Sequence, residues 1–166
     1  MVVTRHLSFR FAALMAAFAG LVFVTYRQDV AGSLLTPLTT LTAQMTLSLV
    51  NWLGMEAVRV GTMISHPDGF AYLIYYRCTG ILPVAFLAAA VAAYPARLHQ
   101  KLAGLAVAVP ILIIFNLARL VHLFYLGVHR PAVFDVSHTI VWEILLILVT
   151  IGLWVGWTRW CDNRKR

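Results

Sequence analysis

From Cys78 to Ala96 the chain carries no charged side chain, and the same holds from Leu102 to Ala118 and from Ile144 to Thr158. A soluble domain of ordinary composition has too little interior to bury three such runs. A helix rises about 1.5 Å per residue, so each run approaches the length that crosses a hydrocarbon core of about 30 Å. With 61% hydrophobic and 11% charged residues and a mean hydropathy of +0.85, the chain reads as a polytopic membrane protein. Its 166 residues suit one helical bundle, and a single integral membrane domain over 1–166 is expected, with no room for a separate soluble domain.

The net charge of +7 sits at the ends of the apolar runs rather than on one face. That placement points to anionic membrane lipids as partners and excludes a nucleic-acid footprint. Basic residues also set the orientation. The N-terminus brings Arg5 and Arg10 to an apolar run from Phe11 to Tyr26. Its Ala17-Phe18-Ala19 triplet imitates a cleavage site, but the run continues past it, so it reads as an uncleaved first spanning helix. Leu34 to Leu53 alternates Leu34, Leu35, Leu38, Leu41, Met45, Leu49, Trp52 and Leu53 with Thr36, Thr39, Thr40, Gln44, Ser48 and Asn51. This is an amphipathic stripe. If it does not cross, the cytoplasm holds Arg5, Arg10, Arg97, Lys101, Arg159, Arg164, Lys165 and Arg166, against Arg27, Arg59, Arg77 and Arg130 outside. The positive-inside rule favours that arrangement: both termini cytoplasmic and the amphipathic segment extracytoplasmic.

The expected fold is therefore all-α, with about four transmembrane helices and a short β-hairpin. The hairpin is read from the alternation of Val58, Val60, Thr62 and Ile64, then of Phe70, Tyr72, Ile74 and Tyr76, around His66-Pro67-Asp68-Gly69. The second spanning helix covers Cys78 to Ala96. The third runs from Leu102 to about Leu126, with Pro110 as a site for a kink, and a loop from Gly127 to Val136 leads to a fourth from about Ser137 to Trp157. On this topology Cys78 and Cys161 lie on opposite sides of the membrane, which forbids a disulfide between them.

Three groups then come to the outer side. Arg119 lies about 9 Å inside the third helix by helix rise. An arginine there costs several kcal/mol unless paired or hydrated, so it marks function or a structural pair, with Glu143 the available partner. Asn116, one turn away on the same face, is placed to orient the guanidinium. Cys78 heads a helix beside Arg77, an electropositive boundary that favours a nucleophilic thiolate. His138 opens the fourth helix as candidate acid/base, with Asp135 placed to cap that helix or orient the ring; His122 is a rival base. His66 and His129 fall in outer loops. No spacing matches a metal-ligand pattern, so neither metal nor cofactor is expected.

Cys78-Thr79-Gly80 at a helix head, Asn116-Leu-Ala-Arg119 near the end of the next helix, and a histidine opening the last one resemble the exosortase/archaeosortase family of membrane cysteine transpeptidases. The likeness covers about Gly61 to Trp157 and is nearest to the exosortase H branch, through Tyr75-Tyr76-Arg77-Cys78-Thr79-Gly80 and Leu123-Phe-Tyr-Leu-Gly127. Many members have serine after the cysteine; Thr79 keeps the hydroxyl. The resemblance implies Cys78 as nucleophile, Arg119 as electrostatic stabiliser and His138 as acid/base. It implies substrates as well: exported proteins with a C-terminal sorting signal made of a short motif (the IPTL type for this branch), a transmembrane helix and a basic tail. The site would face the periplasm from a bacterial inner membrane, with the amphipathic segment and hairpin forming a lid or groove over it. The competing reading is a non-enzymatic assembly or transporter subunit in which Arg119 and Glu143 form a structural pair.

Overall fold

The computed structural model describes Gly20 and residues 28–164, so apart from Gly20 the expected first spanning helix lies outside the described residues. Helix α1 (Gln28–Trp52) contains the amphipathic stretch and begins earlier than its stripe. Three of its threonines turn inward. Thr39, Thr42 and Thr46 are buried with Ala43 and Val50, while Leu41, Met45, Leu49 and Trp52 face out. Burial is tolerated because each hydroxyl donates to the carbonyl four residues back, on Leu35, Leu38 and Thr42. α1 is long enough to span but lacks the apolar character of the last two helices.

Between α1 and the thiol lies a three-stranded antiparallel sheet, β1 (Val58–Val60), β2 (Met63–Ser65) and β3 (Ala71–Leu73), in the order β1-β2-β3. The expected hairpin is thus a meander. The arm read as one strand from Val58 to Ile64 folds back at Gly61-Thr62, where Gly61 adopts φ +63° and permits a tight two-residue turn. The second turn falls at His66-Pro67-Asp68-Gly69, as its composition requires. Phe70 then anchors the sheet against Phe124 and lies over Gly127, where no side chain would fit.

Helix α2 (Ile81–Ala93) is shorter than the uncharged run that contains it. Its 13 residues rise about 20 Å, less than a full hydrocarbon core. Pro95 and the extended residue Tyr94 end it early. Helix α3 (Leu98–His129) and the helical rod α4 (Pro131–Asn163) are each long and apolar enough to cross a membrane. The expected loop from Gly127 to Val136 shrinks to Arg130. α3 continues through His129, and Pro131, whose ring favours the first turn of a helix, restarts the rod at once. α4 leaves Ile140, Ile144, Ile147, Leu148 and Ile151 exposed, an apolar face suited to lipid rather than water.

Among the described residues two clusters hold the bundle. One joins Ala43 and Val50 of α1, Ile64 and Ile74 of the sheet region, and Leu120 and Phe124 of α3, with Cys78 packed on its margin. The other joins Leu87, Val91, Ala108, Leu112, Trp157 and Cys161. The Trp157 indole lies over Gly104 and donates to the Gln100 carbonyl at 2.9 Å. The two cysteines are both free and belong to different clusters.

Candidate active site

Cys78 sits in a 3-10 turn, Tyr76–Thr79, and not on the first turn of the helix it was expected to head. Gly80 takes φ +77° and separates that turn from α2, so the thiol's turn and the helix are not one continuous element. The turn is held locally: the Cys78 N–H donates to the Tyr75 carbonyl at 2.8 Å, and the Thr79 hydroxyl to the Tyr76 carbonyl at 2.5 Å. It is also held from α3. Asn116, fully buried, donates from Nδ2 to the Cys78 carbonyl at 2.7 Å. Asn116 therefore serves the cysteine's backbone and not the guanidinium, because Gly80 lets the turn approach α3 at that level.

Arg119 is 4% exposed on the same side of α3. Its Nη2 lies 3.8 Å from Glu143 Oε1, and its Nε has no hydrogen-bond partner among the described residues. The Glu143 side chain is 58% exposed, so this ion pair is loose. His138 lies in a π turn, Ser137–Val141, and is half-buried. Its ring stacks on Phe134 with centroids 5.8 Å apart and planes 5° from parallel. Asp135 does not cap the helix, which already begins at Pro131; it is exposed, and its backbone carbonyl accepts the Thr139 hydroxyl at 2.6 Å.

One cavity of about 700 Å³ brings these groups together, lined by Cys78, Arg119, His138, Glu143, Tyr72 and Phe134 among others. His122 is elsewhere. It lines a larger groove of about 1240 Å³ between α1 and α3, and its Nδ1 accepts the Trp142 indole N–H at 3.1 Å. That groove holds none of the thiol, the guanidinium or His138. His66 is half-buried and paired with Asp68 at 3.4 Å, and His129 ends α3 with its ring 4.6 Å from Tyr125.

Tyr72 and Phe134 are among the cavity residues that the sequence did not single out. The Tyr72 hydroxyl donates to the Leu120 carbonyl at 3.2 Å, tying β3 to α3 beside Arg119. Burial holds its phenol protonated far above the ordinary tyrosine range; the neighbouring Cys78 adds to this, and Arg119 opposes it. Phe134 precedes His138 by four residues in the helical rod, a spacing that the loop expected over Gly127 to Val136 concealed.

The geometry offers a thiol, a buried cation and an imidazole around one space, the elements of acyl transfer through a cysteine. The model of the transmembrane exosortase family (Exosortase_EpsH) matches residues 3–156. The chain belongs to the transmembrane exosortase family. Exosortases are membrane cysteine transpeptidases acting on exported proteins that carry C-terminal sorting signals, so at family level the resemblance drawn from the motifs is borne out. The match also reaches well upstream of Gly61, where the motif-level likeness begins. No curated protein and no solved structure matches this exosortase.

Proposed function

We propose that this exosortase cleaves the C-terminal sorting signal of exported proteins at the outer face of a bacterial inner membrane. Both termini lie in the cytoplasm, the cavity opens to the periplasm, and the signal is of the IPTL type of the exosortase H branch. The single observation supporting this reading is the shared cavity of Cys78, Arg119 and His138, contributed by three separate elements.

In this mechanism the Cys78 thiolate attacks the scissile carbonyl and forms a tetrahedral oxyanion. Arg119 stabilises the negative charge on that oxygen; one such donor is worth about 10²–10³ in rate. His138, holding the proton, gives it to the departing amine as the C–N bond breaks, which leaves a thioester on Cys78. The imidazole then takes a proton from the acceptor, an amine or water, as it attacks the thioester. Collapse releases the new acyl product and restores the thiolate. The loose Arg119–Glu143 contact fits a guanidinium that is free to serve a substrate better than a purely structural pair.

Co-expression with a tagged protein bearing such a signal tests the reading. Wild type is expected to shorten the reporter and Cys78→Ala to leave it intact while remaining in the membrane. Full processing by Cys78→Ala would overturn the proposal.

A further inference from the structure

The sheet is placed beside the cavity in a way the catalytic groups do not explain. Among the described residues β3 is an edge strand, since the order is β1-β2-β3. The His66 N–H donates to the Phe70 carbonyl at 2.8 Å and the Ile74 N–H to the Thr62 carbonyl at 3.0 Å. With Tyr72 opposite Ile64 in register, residues 70, 72 and 74 spend their backbone groups on β2. Ala71 and Leu73 lie at the alternate positions, so their N–H and C=O groups point to the open edge.

That edge borders the cavity. Leu73 and Tyr75 line it together with Cys78, and Phe134 and His138 of α4 line it as well. Phe70, the residue before β3, touches Phe134 with ring centroids 5.4 Å apart. Leu73 and Tyr75 are 40% and 58% exposed. An open strand edge running into a cavity that holds a thiol is a template for an extended peptide.

Resting on the functional reading above, we infer that the substrate's main chain adds to β3 as a fourth strand. One substrate residue near the scissile bond exchanges hydrogen bonds with Leu73, and the residue two positions along pairs with Ala71. Affinity then comes from backbone groups, which suits an enzyme serving many exported proteins that share only a short motif. Alternate substrate side chains face the cavity floor and the outside.

The test uses the full-length enzyme in detergent micelles. The substrate is a synthetic peptide carrying an IPTL-type motif and its hydrophobic helix, N-methylated at one backbone position at a time. Strand addition predicts a period of two: methylation of an N–H aimed at β3 raises KM about tenfold or more, and methylation of the intervening one changes it little. On the enzyme, Leu73→Pro removes the outward N–H without touching the bonds to β2. It is expected to raise KM by a similar factor, while Leu73→Ala separates the effect of the side chain from that of the donor. Uniform tolerance or uniform loss along the methylated series overturns the inference even if Leu73→Pro fails to fold. Unmodified peptide cleaved by wild type but not by Cys78→Ala keeps the functional reading standing in that case. Absence of Cys78-dependent cleavage removes that reading and this inference together.

Discussion

The buried amide of Asn116 holds the backbone carbonyl of Cys78 at 2.7 Å, across 38 residues of sequence. α3 thereby fixes the turn that carries Cys78 and presents Arg119 from the same stretch of helix. Asn116→Ala leaves the carbonyl without its partner, a loss of about 1–3 kcal/mol for a buried group. The expected outcome is a turnover tenfold or more below wild type with the protein still inserted, read from the rate of reporter cleavage per enzyme.

Gly80→Ala strains the same contact from the other side. The residue adopts φ +77°, and a Cβ there would lie 3.2 Å from Asn116. The left-handed conformation alone costs about 1–2 kcal/mol for a residue with a Cβ. A lowered Tm in detergent and a changed rate of Cys78 alkylation are expected together. An unchanged rate would mean that the turn does not depend on this glycine.

Arg119 and Glu143 should respond unequally. Arg119→Ala is expected to lower kcat about 10²–10³-fold if the guanidinium meets the oxyanion. Glu143→Gln, at the exposed end of a 3.8 Å contact, is expected to change kcat less than tenfold. Equal losses would favour the structural pair over the catalytic role.

Tyr72 gives a pH-dependent signature. Its pKa is raised in the folded chain by burial, so above about pH 10 the unfolded chain releases a proton that the folded one retains. Stability from this group is intact below pH 10 and is lost as the pH rises, by up to about 1.4 kcal/mol per pH unit. Tyr72→Phe should remove that part of the slope when denaturation is compared from pH 9 to 11.

Gly127→Ala should unseat the sheet. A Cβ at that position collides with the Phe70 ring, and both partners are fixed, one in α3 and one beside β3. A cost of about 1–3 kcal/mol is expected from overpacking, with partial recovery in a Gly127→Ala, Phe70→Leu double variant measured by thermal melting.

The membrane class, the long helices α3 and α4 and the trio Cys78, Arg119 and His138 were legible because they rest on composition and on residues spaced one helix apart. The local geometry around them was less so. Gly61 reads as one more position in an alternating arm until its φ is known, and this hid the third strand. Asn116 shares a helical face with Arg119, but a period says nothing of the distant turn that Gly80 lets approach it. His122 looked equivalent to His138 because a helix face cannot be assigned to a cavity before its neighbours are placed. Tyr72 was visible as a member of an alternating strand, and only the fold puts its hydroxyl on the carbonyl next to Arg119.

The π turn at Ser137–Val141 has a mechanical consequence. Such a turn is an α-helix with one surplus residue, and each residue of a regular helix advances the azimuth by about 100°. The wider turn absorbs that surplus within five residues, so the rod on either side keeps its phase while the residues inside the turn, His138 among them, are spaced more closely in azimuth than in a regular helix. The aim of the imidazole is thus set like the phase of a gear, by one tooth.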